Sequence, residues 1–206
     1  MDDIEAVLLD MDGTLVDSDG AVERAWRRWA ADYRVDPETV LRISPGKTAL
    51  TTIRQVAPHL DDQAARRAAR YQTELQLADA VDTKPLPGAT CLLDTLDRLA
   101  LPWAVVTSAD ADLAAARLGA AGITPPVLVT ADDVRAGKPD PEGYRLAAAR
   151  LGVPAERCLV VEDAPAGIAA GQRAGARVAA LRGHPADLRI PDLHALVALL
   201  TPPAAG

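Results

Sequence analysis

Glu5-Ala-Val-Leu-Leu-Asp10-Met-Asp12-Gly-Thr-Leu-Val-Asp-Ser18 is the stretch whose reading decides the fold. Ala6 to Leu9 is a continuous apolar run with no polar alternation, the pattern of a strand buried on both faces. Such strands belong to parallel sheets covered by helices on either side. In open sheets of that kind, ligands sit at the carboxyl ends of the strands. Asp10 is the first polar residue after the run, so its carboxylate is expected at that mouth. Asp12 follows two places later, and residues two apart on an extended chain share a face. Both carboxylates are therefore expected to address one small site. Crowded carboxylates stay ionised only when a cation or hydrogen bonds compensate. Mg²⁺ meets that need with one or two protein carboxylates plus substrate oxygens and water. The plainer alternative is a turn that happens to carry acidic residues.

A chain of 206 residues is large for one minimal domain and small for two, so one core with an insertion fits. Hydrophobic content of 49% and charged content of 25% are ordinary globular values. The net charge of −7 argues against a nucleic-acid partner. An anionic substrate stays open, because a bound metal ion inverts the local field. Cys91 and Cys158 form no CxxC pair and are expected as small core residues in a reducing cytoplasm. The N-terminus shows no basic flank and apolar signal region. No apolar run approaches the roughly 20 residues of a membrane span. These features point to a soluble, cytoplasmic protein with no membrane partner.

Residues from about Gly20 to Ala80 read as helical throughout. In AVERAWRRWAADY, Val22, Trp26, Trp29 and Tyr33 fall three or four apart, on one helical face. That aromatic stripe is expected to be core rather than ligand surface. Asp36-Pro37-Glu38 opens a second helix, with Asp36 as N-cap and Pro37 at the first position. A third follows Gly46, and a long charged helix runs from Asp61 to Ala80. Leu86-Pro87-Gly88 closes this insertion, and strands then alternate with helices. Strands are expected at Trp103–Val106, Val127–Val129, Cys158–Val161 and Arg177–Leu181. Helices are expected at Ala89–Ala100, Asp110–Ala121, Pro141–Leu151, Ala164–Ala174 and Leu193–Leu200. The tail TPPAAG is expected to fray. The architecture is thus α/β: a Rossmann-like parallel sheet core with helices on both faces and an inserted helical cap. Residues 1–17 and 86–206 make the core and 18–85 the cap.

The strand ends deliver Asp10 and Asp12, then Thr107 and Ser108, then Glu162 and Asp163, with Lys138 in a Gly-Lys-Pro loop. Parallel strands place all of them on one edge. That set suits a phosphate ester. An ionised Asp10 attacks phosphorus, and Asp12 serves the leaving group as acid and then water as base. Asp163, with Glu162 beside it, holds Mg²⁺ against the phosphate. Thr107 or Ser108 donates a hydroxyl, Lys138 supplies a point charge, and backbone N–H groups from Met11 to Gly13 form an anion nest.

The chain resembles the haloacid-dehalogenase-superfamily phosphatases. The resemblance is carried by DMDGT at Asp10–Thr14, TSA at Thr107–Ala109, GKPDP at Gly137–Pro141 and VVEDAPAGIAAG at Val160–Gly171. The motifs fall in the family's order and span the whole core. The resemblance implies Asp10 as nucleophile and Asp12 as acid/base. It implies Mg²⁺ held by Asp10, the Asp12 carbonyl and Asp163, with Glu162 nearby. It also implies phosphate or substrate contacts from Met11, Thr107, Ser108, Ala109 and Lys138, and a monomer acting on a small phosphorylated metabolite. EDAPAGIAAG, VERAW in the first cap helix and PGKTAL around Lys47 are similar to sugar, hexitol and glycerol phosphatases. That implies a substrate contact for Lys47. Pro45 stands where many relatives carry His, which leaves substrate preference open.

Other readings are weaker. Gly46-Lys47-Thr48 ends like a P-loop, but Leu41 stands where a P-loop needs glycine. Asp10-Met11-Asp12-Gly13 is no calcium loop, since glycine falls at its fourth rather than its sixth position. His59, His184 and His194 form no ligand cluster, and Arg135 and Arg177 read as surface charges. The alternatives to sugar or polyol phosphatase are a β-phosphoglucomutase-type phosphomutase, a phosphoglycolate-type phosphatase and a non-catalytic metabolite binder. Val22 stands where the resemblance implies a mutase histidine, which favours hydrolysis. A dehalogenase would have no use for Asp12.

Overall fold

A computed structural model describes residues 3–201. In chain order the first elements are β1 (Ala6–Leu9), β2 (Val16–Asp17), α1 (Asp19–Tyr33), α2 (Pro37–Ile43), α3 (Ala49–Val56), α4 (Asp62–Ala78) and β3 (Lys84–Pro85). There follow α5 (Ala89–Arg98), β4 (Trp103–Val106), α6 (Ala111–Ala120), β5 (Leu128–Val129) and α7 (Glu142–Leu151). The chain continues with β6 (Cys158–Glu162), α8 (Pro165–Ala174), β7 (Arg177–Ala180), β8 (Leu188–Arg189) and α9 (Leu193–Leu200). The fraying expected of the tail concerns residues 202–206, which lie outside the described residues.

The main sheet has six strands in the order β5-β4-β1-β6-β7-β8, and every pairing in it is parallel. β1 sits where the strand order reverses: later strands add β4 on one side and β6 on the other. The connections diverge there, leaving a crevice beyond the carboxyl end of β1. Alternation along the strands splits the core in two. Val7 and Leu9 join Val105, Leu159 and Val161 in one cluster with α5, α6 and α9. Ala6 and Leu8 join Ala104, Cys158 and Val160 in the other, with α7 and α8. Both faces are covered, which is why β1 carries no polar residue.

Helices α1 to α4 pack on one another around a separate apolar cluster that includes Trp26, Trp29, Val40, Ile53 and Ala68. Trp29 is fully buried, stacks on Tyr33 at 4.5 Å between ring centres, and donates its indole N–H to the Ala68 carbonyl at 3.1 Å. The aromatic stripe is core. α2 starts as its sequence implies: the Asp36 carboxylate accepts from Thr39 N at 2.9 Å, with Pro37 at the first helical position.

Three features depart from expectation. The sheet gains an unexpected edge strand, β8, whose two residues pair parallel with β7. A short antiparallel ladder pairs Val16 with Pro85 and Asp17 with Lys84, joining the chain's entry into the helical segment to its exit. Its strands have two residues each, too short for any period, and one residue is a proline. Cys91 is exposed on α5 rather than in the core, whereas Cys158 is buried in β6. The buried face of α5 carries Leu92, Leu93 and Leu96, and Cys91 falls outside it.

The Trp29 cluster makes a stability prediction. Trp29→Ala removes a buried indole and its hydrogen bond, so denaturant unfolding should show a loss of about 3–5 kcal/mol, with Trp29→Phe retaining much of it.

Candidate active site

The even-numbered face of β1 and β6 leads into the site. Asp10 continues the Ala6/Leu8 face, and Glu162 continues the Cys158/Val160 face. The register pairs Leu9 with Val161, and Asp10 N donates to the Val161 carbonyl at 3.0 Å. The two carboxylates therefore end up side by side. Lys138 lies between them, its Nζ donating to Asp10 Oδ1 at 2.5 Å, to Glu162 Oε1 at 2.7 Å and to the Val106 carbonyl at 3.0 Å. All three ammonium protons are thus used. Asp10 is 6% exposed, Lys138 5% and Glu162 not at all.

Glu162 is further held by Tyr144, whose hydroxyl donates to Oε1 at 2.8 Å, and by the N–H groups of Asp163 and Ala164, which donate to Oε2 at 3.0 and 3.2 Å. Its carboxylate lies against the first turn of α8. A Cβ on Gly167 would fall 1.5 Å from Oε1, so that position admits only glycine while Glu162 stays in place. Glu162 spends its oxygens on these four donors. Its geometry is that of a group that orients Lys138 and the start of α8.

Asp163 is aimed the other way, toward the loop after β1. A Cβ on Gly13, which has φ of +80°, would meet Asp163 Oδ2 at 2.2 Å, so this glycine permits the close approach as well as the turn. Arg182, just after β7, reaches Asp163 Oδ2 at 3.0 Å and Asp19 of α1 at 2.8 Å.

Oxygens of Asp10, Glu162 and Asp163 lie within 4.8 Å of one another. Hard oxygen donors in this number suit Mg²⁺ better than a soft metal. Asp10 and Asp163 fit such an ion best, because Glu162 is already saturated. The Asp12 side chain lies outside this group.

Asp12 does not share a face with Asp10. The chain turns immediately after Asp10, with the Met11 carbonyl accepting from Leu15 and Val16 N–H at 2.9 and 3.0 Å. Asp12 Oδ1 then accepts from Ser18 Oγ at 2.7 Å and from Arg117 Nη1 of α6 at 2.8 Å. The two aspartates are held by groups from opposite faces of the sheet. The expectation of a shared face fails because strand geometry ends at Leu9.

The remaining expected residues fall into two sets. Thr107 is buried, its Oγ1 accepting from Ala109 N at 3.1 Å, and it borders the cleft with Ser108. Ser108 Oγ donates to the Gly46 carbonyl at 2.9 Å, tying the sheet edge to the loop before α3. Met11 packs its side chain into the core, leaving only its backbone for a ligand, and the Ala109 N–H is engaged by Thr107. Lys47 is half-buried at the cleft, with Nζ donating to Gln55 Oε1 at 3.0 Å. The cleft measures about 1030 Å³. Asp10, Asp12 and Asp163 line it from the sheet edge, and Trp26, Arg54 and Thr73 from the helices.

Sequence reasoning missed Tyr144, Arg117, Ser18 and Arg182. Tyr144 and Arg117 sit inside helices whose patterns mark a buried face, and nothing in that pattern says what a polar residue there will touch. Ser18 read only as the end of the first motif.

Burial and the neighbouring Glu162 charge push Asp10 well above the ordinary carboxylate value, and Lys138 only partly offsets them. Burial works against the Lys138 ammonium, yet the charges of Asp10 and Glu162 outweigh it and raise its value. Burial, again joined by Glu162, raises Asp163 from 3.8 to about 7, against the pull of Arg182. The folded protein therefore binds a proton at Asp163 that the unfolded chain has already released, and stability falls as pH rises between about 4 and 7. In metal-free protein, thermal melts should show wild type losing stability across that window. Asp163→Asn should flatten the loss and melt higher than wild type at the top of the window, by about 2–4 °C per kcal/mol released.

Comparison with known proteins gives the family. Residues 4–175 match the haloacid dehalogenase-like hydrolases. Hexitol phosphatase A of Escherichia coli (strain K12) is 45% identical over 184 residues, spanning 87% of this chain and 83% of that protein. Glycerol-1-phosphate phosphohydrolase 2 of Saccharomyces cerevisiae is 34% identical over 187 residues, spanning 85% and 73%. In fold, β-phosphoglucomutase from Clostridium difficile superposes with a TM-score of 0.84 over 94% of this chain and 93% of that one, at 20% identity. With the four motifs converging on one sheet edge, the match over most of the chain identifies it: the chain belongs to the haloacid dehalogenase-like hydrolases and is an enzyme of that family.

Proposed function

We propose that this enzyme hydrolyses the phosphate ester of a small sugar or polyol through a phosphoryl group carried on Asp10. The observation that carries this reading is the junction of Asp10, Lys138 and Asp163 at the sheet edge, with Asp12 held separately across the mouth of the cleft. In the proposed first step the Asp10 carboxylate attacks phosphorus and the P–O bond to the alcohol breaks. Asp12 gives its proton to the departing oxygen. In the second step Asp12 takes a proton from water, the water oxygen attacks phosphorus, and Asp10 is released with inorganic phosphate.

Mg²⁺ bound by Asp10, Asp163 and the Asp12 carbonyl would neutralise phosphoryl oxygens so that one anion can approach another. Lys138 restrains Asp10 in a fixed orientation and adds positive charge beside the phosphoryl site. Thr107, with its hydroxyl at the end of β4, and the Met11 backbone N–H would contact phosphate oxygens. Residues 18–85 would act as a cap over the core of 1–17 and 86–206, with Lys47 and the facing α4 side chains reading the alcohol portion. The hexitol and glycerol-phosphate relatives support a polyol or sugar ester. Val22 on α1, rather than a histidine, supports hydrolysis over phosphoryl return to a sugar. No described helix is long and apolar enough to cross a membrane. A monomer acting on dissolved metabolites in the cytoplasm completes the proposal.

A panel of sugar and polyol phosphates assayed for phosphate release with Mg²⁺ tests the reading. Turnover of at least one such ester, abolished by chelation and by Asp10→Asn, is expected. In single turnovers Asp12→Ala should slow alcohol release from alkyl esters by about 10²–10⁴-fold and slow p-nitrophenol release far less, because that leaving group needs no acid. Undiminished turnover by Asp10→Asn, or glucose-1-phosphate isomerisation without phosphate release, would overturn it.

A further inference from the structure

We propose that Arg117 is a positioning residue that couples the seating of α4 on the core to the placement of the Asp12 carboxylate. The proposal rests on the reading of Asp12 as acid and base. Arg117 is 1% exposed, on a face of α6 otherwise built from Leu113, Ala114 and Leu118. A guanidinium taken out of water costs several kcal/mol unless it is paired, and the packing of that face would be met by an aliphatic residue. Its partners explain its presence. Nη1 donates to Asp12 Oδ1 at 2.8 Å and Nη2 donates to Gln76 Oε1 at 2.8 Å. Asp12 belongs to the loop after β1, and Gln76 lies on α4, in the helical segment. One planar fork thus spans both parts of the molecule.

The guanidinium is rigid, so its two donors move together. With Gln76 in place, the fork is fixed and Nη1 points at Oδ1. Ser18 Oγ, from the residue before α1, donates to the same oxygen at 2.7 Å. Oδ1 thus receives two donors tied to the helical segment, and Oδ2 has no hydrogen-bond partner among the described residues. Oδ2 is left as the oxygen that carries the proton to and from the substrate. If α4 lifts, Arg117 loses Gln76 and its orientation is no longer determined, although the buried charge still needs Asp12.

The network also looks built for geometry rather than stability. Arg117 Nε has no partner, and Gln72, one helical turn before Gln76, is buried with both amide atoms unpartnered. A half-satisfied polar contact is worth less than an apolar one. Retaining it here links enclosure of the substrate to readiness of the proton donor.

The test uses Arg117→Lys, which keeps the charge and loses the fork, and Gln76→Leu, which alters only the α4 side. Each is measured in single turnovers for substrate affinity and for the rate of alcohol release, the step that uses the acid, on a turned-over polyol phosphate and on p-nitrophenyl phosphate, alone and with Asp12→Asn. The expected result is a loss of about tenfold in alcohol release from the polyol ester, a part of the full acid–base effect of about 10²–10⁴-fold. Substrate affinity and p-nitrophenol release should change little, and neither substitution should slow alcohol release further in the Asp12→Asn background. Equal losses on both esters, or losses that add to Asp12→Asn, would overturn the proposal and leave Arg117 a structural residue. If Arg117→Lys does not fold, Gln76→Leu decides alone by the same criteria. If Asp12→Asn itself spares the polyol ester, the acid assignment is wrong. Ester discrimination by Asp12→Asn without any by Gln76→Leu removes the coupling alone.

Discussion

One ammonium group holds the functional edge of the sheet together. Lys138 Nζ sits between Asp10 and Glu162 with all its protons engaged. Without it, the buried carboxylates of Asp10 and Glu162 would face each other on adjacent strands with no countercharge between them, and an unpaired buried ion costs several kcal/mol. With it, the charge is still not balanced, since Asp10, Glu162 and Asp163 lie within one small volume. Burial, and after it the Glu162 charge, raises Asp10 and Asp163 above ordinary carboxylates. A divalent cation relieves the imbalance, and so does a proton. The site is thus organised around a deficit of positive charge, which suits a centre that binds metal and phosphate together.

The topology explains how such a deficit is tolerated. Strand β1 is central and apolar, and the strong core on both of its faces stabilises the chain independently of the site. Reversal of strand order at β1 opens the crevice, and alternation along β1 and β6 sends Asp10 and Glu162 to the α7 and α8 side. The turn after Asp10 carries Asp12 to the α6 side. Two aspartates two residues apart thereby meet different partners: a lysine and a glutamate for one, an arginine and a serine for the other. Separate environments are what distinct roles for two similar carboxyl groups require. Close approach makes this possible only where side chains are absent, as at Gly13 beside Asp163 and Gly167 beside Glu162.

Much of this was legible from residue order. The apolar runs located β1, β4 and β6, and the first polar residue after each run named Asp10, Thr107 and Glu162. The cap and proline at Asp36-Pro37 located α2. The helical period of Trp26 and Trp29 marked a core. What escaped was contact between distant parts of the chain. Arg117 in an alanine-rich helix and Tyr144 in an ordinary amphipathic one gave no local sign of their partners 105 and 18 residues away. Glu162 was visible as an acid at a strand end, but its four donors come from a lysine loop, a tyrosine and two backbone groups that only the fold assembles. Cys91 was assigned to the core on apolar surroundings, when its place on the exposed side of α5 depended on the phase of Leu92 and Leu96. The Val16–Pro85 ladder was invisible because its strands are shorter than any period.

The central claim is that the carboxylate clamped by Lys138 receives the phosphoryl group. The most direct measurement is acid quenching of the enzyme during steady-state turnover with Mg²⁺, followed by peptide mapping of the phosphorylated residue by mass spectrometry. The account requires an acyl phosphate on Asp10 that accumulates with substrate and is absent from Asp10→Asn. Phosphate found on another residue, or active enzyme that carries none when the chemical step is resolved in a single turnover, would contradict it.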